Sequence, residues 1–437
     1  MLLKSFRING LFGTYSYEFS ISESQNIFML TGPNGYGKTT ILTILNKISQ
    51  KDLFYFYQLP FDTIEIELGS GYILHIVSTN VEDEEIFSND IKSDSKLNLD
   101  KQVEFLWIHN GKENNRLVLN KRNIRKAARN IGYYNRLNLD FYNMMSEDFA
   151  YFVTHNPRIY DILAKEQGQE AVLMFLAGFS STFIQSQRLL NQEIDENVNE
   201  RDVRPSIDIV VDKLQNRIHS DYIKYLQYSQ EKDSRFIDTL LTSDKVYSMD
   251  EYTNKVTSLE PLMNELRSFG LINVLKIREY DVRHAQILSA YIDDLENKCQ
   301  FHSQTIAKLR LFSVLLEKKR FANKRIFFSP EFGLRVKSLK GEFLNVNKLS
   351  SGEQNEIIML YNFIFEVPNN SLLLIDEPEI SLHVAWQQNF IKDIESIAEM
   401  KNLQVVIATH SPQIISGRWD ECFDLFEQNQ YNHELDS

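Results

Sequence analysis

Short apolar runs bounded by polar turns open the chain. Phe28, Met29 and Leu30 lead into a glycine-rich segment, and Thr40-Ile-Leu-Thr-Ile-Leu45 beyond it has helical spacing, so the first 50 residues read strand, loop, helix. Strict alternation over Ile64-Glu-Ile-Glu-Leu68, a turn at Gly69-Ser-Gly71 and an apolar return over 72–77 predict a hairpin within 62–79. A second hairpin is predicted where 105–108 and 117–119 flank Asn110-Gly111, a pair suited to a tight two-residue turn. The acidic, Ser- and Asn-containing stretch 81–100 reads as a surface loop. From about 120 to 320 the pattern is mainly helical, with prolines only at 157, 205 and 261. Within it Leu288, Ile292, Leu295, Cys299, His302, Ile306 and Leu309 alternate spacings of four and three. This heptad-like seam fits a long helix packed on its own domain, or a protruding arm or dimer seam. Leu372-Leu-Leu-Ile375 and Val405-Val-Ile-Ala408 are continuous apolar runs suited to strands buried on both faces of a parallel sheet, with a helical pattern over 384–400 between them.

Composition narrows the class. The 437 residues are 43% hydrophobic and 24% charged, the mix of a soluble globular chain. The longest apolar run, 171–179, is far short of the ~20 residues that span a bilayer. The start lacks the apolar core of a signal peptide. Two cysteines, Cys299 and Cys422, exclude a disulfide scaffold and a cysteine zinc site and fit a reducing cytoplasm. A net charge of −13 argues against non-specific coating of nucleic acid. The charge is uneven, however. Residues 112–136 hold eight Lys or Arg and one acid, while six acids and no Lys or Arg follow Arg418. The basic run is either a solvated helix face or a patch for phosphate backbone or an acidic partner.

Gly32-Pro33-Asn34-Gly35-Tyr36-Gly37-Lys38-Thr39 matches G-x-x-x-x-G-K-[ST]. Its glycines let backbone N–H groups close around phosphate oxygens, with Thr40 continuing into a helix whose N-terminus adds positive potential. Lys38 would reach the terminal phosphates of ATP and Thr39 would hold Mg2+. At the end of the apolar run 372–375 stand Asp376 and Glu377: Asp376 would reach Mg2+ through water, and Glu377 would act as general base on the attacking water.

Between these motifs lies Leu349-Ser350-Ser351-Gly352-Glu353-Gln354. With them it resembles the signature of ABC-type ATPases, the superfamily of transporter ATPase domains, DNA-repair and SMC ATPases and the overcoming-lysogenization-defect nucleases. Ser351 stands where the family has its first glycine, and Glu353 where it has Gln. The resemblance implies an α/β P-loop ATPase head with a mainly helical insertion between the phosphate loop and the signature. It divides the chain into 1–190 (head, with a β-rich lobe and the basic segment), 191–324 (insertion) and 325–437 (remainder of the head). It further implies that Ser350, Ser351, Gly352 and Glu353 face the nucleotide of a second subunit, giving an ATP-sandwiched homodimer and higher homo-oligomers. His410, in Thr-His-Ser-Pro, resembles the switch histidine at the γ-phosphate. Glu379 to His383 falls where the family has its D-loop. Gln187, preferred to Gln185, resembles the Mg2+-linked glutamine, with Arg188 beside it.

Shorter strings, Phe183-Ile-Gln-Ser-Gln-Arg-Leu189, Ser229 to Phe236 and Ser381 to Gln388, look like the ATPase subunits of bacterial anti-phage systems such as PARIS and Septu, and of some retrons. With only 27 residues after His410 the chain is expected to carry no nuclease domain of its own. The resemblance thus implies a cytoplasmic ATPase, with no membrane partner, that controls a separately encoded effector such as a Toprim or HNH nuclease in response to a phage protein or nucleic acid. The alternative is a RecF-like DNA-repair ATPase that binds duplex DNA directly.

Overall fold

The computed structural model describes residues 2–22, 25–69, 71–80, 101–109, 112–120, 123–124, 127, 158–169, 178–185, 206–272, 276–319, 324–380, 382 and 384–429. The loop expected at 81–100, most of the basic run, and Gln187 and Arg188 lie outside these residues. In chain order the elements begin β1 (Leu3–Leu11), β2 (Tyr15–Ser20), β3 (Ile27–Thr31), α1 (Lys38–Ser49), α2 (Phe54–Gln58), β4 (Thr63–Leu68), β5 (Tyr72–Asn80), β6 (Lys101–His109), β7 (Lys112–Leu119), α3 (Arg158–Glu166) and β8 (Ser181–Gln185). They continue with α4 (Ser206–Thr242), α5 (Met249–Ser268), α6 (Ala285–Gln300), α7 (Ser303–Lys318), β9 (Lys324–Ser329), β10 (Gly333–Ser338), β11 (Phe343–Leu344), α8 (Ser351–Tyr361), β12 (Leu372–Asp376), α9 (Val384–Lys401), β13 (Gln404–Ala408), α10 (Pro412–Ile415) and β14 (Cys422–Asp424). Two compact units form. The first comprises 1–186, 367–380 and 387–437; the second comprises 187–366 and 381–386. The C-terminal stretch 325–437 is therefore shared between them.

The first unit is α/β, as the apolar runs predict. Its six-stranded antiparallel sheet has the order β2-β1-β4-β5-β6-β7 and contains both predicted hairpins. Alternation decides its faces: Ile64, Ile66 and Leu68 are buried opposite Ile8, Phe6 and Leu3, while Glu65 and Glu67 point away from the core. The second sheet, β14-β3-β13-β12-β8, is wholly parallel. Every residue of β3 and β13 is buried, as continuous apolar strands require. Helix α1 shares one core with both sheets through Ile41, Leu42, Ile44, Leu45 and Ile48. Buried Gln404 fastens the parallel sheet to β1: its Oε1 accepts from Leu3 N–H (2.7 Å) and its Nε2 donates to Leu3 O (2.8 Å). Because the strands run in parallel, Thr31, Ala408, Asp376 and Gln185 come to the same carboxyl edge, where ligands bind in open α/β sheets.

The second unit packs helices around a three-stranded antiparallel sheet, β11-β10-β9. Ile207, Val210, Leu214 and Ile218 form the buried stripe of α4. Gly333 has φ +66°, and a Cβ there would lie 2.5 Å from Val211 O, so only glycine lets β10 approach α4 this closely. The heptad-like residues 288–309 are all buried, but on two helices, α6 and α7, separated at Phe301 and His302. The seam is thus buried within its own unit, as the first reading has it, but on two helices instead of one long helix. Among the described residues no helix is long and apolar enough to cross a membrane.

Candidate active site

The phosphate-loop motif leaves the carboxyl end of β3. Gly32, Gly35 and Gly37 have φ of +127°, +91° and +88°, values that side chains disfavour. Gly37 also lies against Leu11, 3.1 Å from an added Cβ. Gly37 caps α1 with no side-chain hydrogen bond, which leaves the first-turn N–H groups facing outward for an anion. Lys38 is 5% exposed and folds back over the loop, donating to Gly32 O (2.7 Å) and Pro33 O (3.1 Å). The loop is braced from outside. Tyr17 Oη donates to Tyr36 O (2.8 Å), and the Tyr36 ring contacts Tyr15 and, edge-on, Phe426 of the C-terminal segment.

Thr39 and Asp376 stand 337 positions apart in sequence yet meet directly: Thr39 Oγ1 donates to both carboxylate oxygens, at 3.1 and 2.9 Å. Burial pushes the Asp376 carboxyl up; the Thr39 hydrogen bond pulls it down, and the charges of Glu377 and Glu379 add to the rise. A hydroxyl and a carboxylate side by side, under the negative charge of Glu377 and Glu379, are hard-oxygen donors of the kind Mg2+ takes alongside phosphate oxygens and water, so Thr39 and Asp376 fit it. Glu377 sits at φ +47°, a costly conformation for a non-glycine residue and one that clusters at functional sites. Its N–H donates to Ala408 O (2.8 Å), which ties the turn to the end of β13.

Glu377 Oε1 is 3.9 Å from His410 Nδ1. The group that fixes His410 is Glu379, whose side chain is 8% exposed. Its Oε1 accepts from Thr409 Oγ1 (2.9 Å) and His410 N–H (3.0 Å) and lies 3.1 Å from His410 Nδ1. Gln387 Nε2 donates to Glu379 O (3.1 Å), and Ser411 Oγ donates to Gln387 Oε1 (3.2 Å). The motif order assigns Glu379 only a D-loop position and singles out neither Gln387 nor Tyr17. Pro378-Glu379 directly after paired carboxylates was the available signal for the first; the other two carry none. Gln185 ends β8 in register with Asp376, and Gln187 lies outside the described residues.

The signature residues belong to the second unit. Ser350 caps α8: its Oγ accepts from Glu353 N–H, while Glu353 Oε2 accepts from Ser350 N–H (2.9 Å). Both Glu353 oxygens also accept from Lys324 Nζ, each at 2.8 Å. Burial opposes ionisation of Glu353, but the Lys324 and Ser350 hydrogen bonds outweigh it and hold the carboxyl below its ordinary value. Its carboxylate is thus engaged within the unit and also accepts from Ser350 Oγ (3.0 Å), while the Ser350 and Ser351 residues themselves are exposed. Gly352 lies 3.7 Å, measured from an added Cβ, from the Trp386 ring.

The family model described as an AAA ATPase domain matches residues 1–415. The chain is 33% identical over 97 residues to the retron Ec83 probable ATPase of Escherichia coli, covering 20% of this chain and 16% of that protein. It is 27% identical over 106 residues to the retron Vc95 probable ATPase of Vibrio cholerae serotype O1 biovar El Tor, covering 22% and 20%. These matches span no more than a fifth of either relative. Among solved structures, an Smc head domain with an extended coiled coil from Pyrococcus furiosus aligns over 100% of this chain and 99% of its own, at 13% identity and a TM-score of 0.36.

Proposed function

The chain belongs to the AAA ATPase domain family, and from that premise we propose that it hydrolyses ATP between two copies of itself and uses the cycle to control a separately encoded effector of an anti-phage system. The observation that carries the catalytic part is the convergence of Thr39, Asp376, Glu377, Glu379 and His410 beside the glycine loop at one sheet edge. In this reading the loop N–H groups and Lys38 hold the phosphates, and Thr39 and Asp376 hold Mg2+. When bound, Mg2+ neutralises charge on the phosphate oxygens. Glu377 takes the proton of the attacking water as its oxygen bonds to the γ-phosphorus and ADP leaves. His410, fixed by Glu379, hydrogen-bonds the terminal phosphate. The exposed Ser350 and Ser351 at the N-terminus of α8 suit a phosphate of the second copy, which supports the sandwiched dimer. The short likeness to retron ATPases supports the defence setting.

Glu377→Gln should retain ATP and lose ~10²–10⁴-fold in hydrolysis, the range for a general base. A loss below about threefold removes Glu377 from that role. Light scattering of this variant should double the mass on adding ATP. Pull-down from its native operon should recover a stoichiometric partner, a Toprim or HNH nuclease by expectation. Duplex DNA retained only with ATP, and no protein partner, would favour the DNA-repair alternative that the basic run keeps open.

A further inference from the structure

The second unit contains a pocket of about 220 Å3 whose chemistry the ATP cycle does not use. Arg217 and Lys224 of α4 and Lys308 of α7 line it, with Asp221 as the carboxylate among them and Phe365 on its wall. Asp221 is engaged by His302 Nδ1 at 2.9 Å. Arg217 donates to Glu366 (3.1 Å) and is still half exposed. Lys224 and Lys308 make no ion pair among the described residues. Burial and the charge of Arg217 push the Lys308 ammonium down from its ordinary value, and with Asp221 held by His302 and Glu366 by Arg217 the three cations outnumber the carboxylates beside them. Helix α7 begins at the same place, and His302 caps it with no side-chain hydrogen bond, so its first-turn N–H groups and the Thr305 hydroxyl add donors.

We propose that this pocket binds the phosphate group of a small molecule, a free nucleotide or an inorganic polyphosphate, and that occupancy is read by the signature helix. Size selects the class. Arg217 and Lys224 are seven residues apart, ~10 Å along a helix at 1.5 Å per residue. That is the span of one or two phosphates, short of the 6–10 phosphate contacts typical of duplex binders. The readout follows from Glu366. It accepts from Arg217 and also from Tyr361 Oη (2.8 Å), and Tyr361 is the last residue of α8, whose first turn carries the signature. Phosphate oxygens compete with Glu366 for Arg217 and so alter what Glu366 offers Tyr361. Residues 362–366 form a π-helical turn, a local irregularity that tolerates such a shift.

The binding half stands apart from the ATPase reading; the coupling half rests on it. Calorimetric titration of pyrophosphate and of AMP into full-length Lys38→Ala protein, with the phosphate loop disabled, tests binding alone. One saturable site per chain is expected, weakened at least tenfold in Lys38→Ala/Lys308→Glu and, as a second variant, Lys38→Ala/Lys224→Glu. Tighter AMP identifies a nucleotide, and tighter pyrophosphate a polyphosphate. No saturable binding of either probe below millimolar concentration, or equal affinity in the Glu variants, overturns the proposal. Lys308-dependent duplex binding without small-molecule binding overturns it in favour of nucleic acid. In wild-type protein the bound probe should change ATPase kcat at least twofold, with no change in Lys308→Glu; an unchanged wild-type rate removes the coupling.

Discussion

Glu379 offers the sharpest test of the site, because one buried oxygen holds three groups. It accepts from the Thr409 hydroxyl and from the His410 N–H, and it faces His410 Nδ1. Glu379→Ala removes all three contacts and leaves a hydroxyl and an N–H without acceptors. Hydrogen bonds to a charged group contribute ~1.5–3 kcal/mol each. Partial relaxation of the segment, of which Thr409 is buried and His410 exposed, makes ~2–3 kcal/mol of lost stability a reasonable total. The effect on catalysis has another origin: His410 loses its fixed orientation, and losing one positioned donor to a developing charge lowers kcat ~10²–10³-fold. Since the phosphate loop is untouched, KM for ATP should stay within about threefold. Glu379→Gln keeps an acceptor for Thr409 and His410 N–H but loses the charge beside Nδ1, so it should fall between wild type and alanine. Phosphate release at saturating and sub-saturating ATP, beside a denaturation curve, separates the two effects. An alanine variant that is destabilised as stated yet keeps kcat within threefold of wild type would refute the positioning role.

Gln404→Ala should cost ~2–6 kcal/mol, because both Leu3 backbone groups lose a buried partner at ~1–3 kcal/mol each; urea unfolding measures it, and a change under 1 kcal/mol would mean that the two sheets are joined chiefly by their apolar core. Glu353 has its folded carboxyl value held below the unfolded ~4.3, so its contribution is present above that pH and disappears as pH falls through the folded value. Lys324→Met should therefore flatten the loss of stability measured below about pH 4.3, and an unaltered acid limb would contradict this account of the pair.

What sequence makes legible is what a contiguous stretch determines by its own backbone. The glycine loop, whose Gly32, Gly35 and Gly37 take positive φ, the apolar run 28–30 that leads into it, and the strands buried on both faces at 372–375 and 405–408 are local facts, and the structure brings them together in one parallel sheet. Glu379 was legible only as a position, since its role arises from Thr409 and His410 some thirty residues on. β14 escaped because three residues, Cys422–Asp424, carry no period, and its place beside β3 follows from tertiary pairing. The seam at 288–309 shows a different limit: periodicity reports that a face is buried and says nothing of what covers it, and Phe301 and His302, themselves large ring residues, gave no sign of the break between α6 and α7. The signature shows a third. Ser350-Ser-Gly-Glu353 resembles the ATPase signature and forms an S-x-x-E helix cap with the same four letters. The capping bonds and the Lys324 pair account for Glu353 where the family carries Gln: a charged third residue binds Ser350 and Lys324 at once, which a neutral amide would do more weakly. On this account the departure from the family's pattern is a helix-stabilising choice that engages the Ser350 hydroxyl together with Glu353 and leaves Ser351 exposed at the first turn of α8.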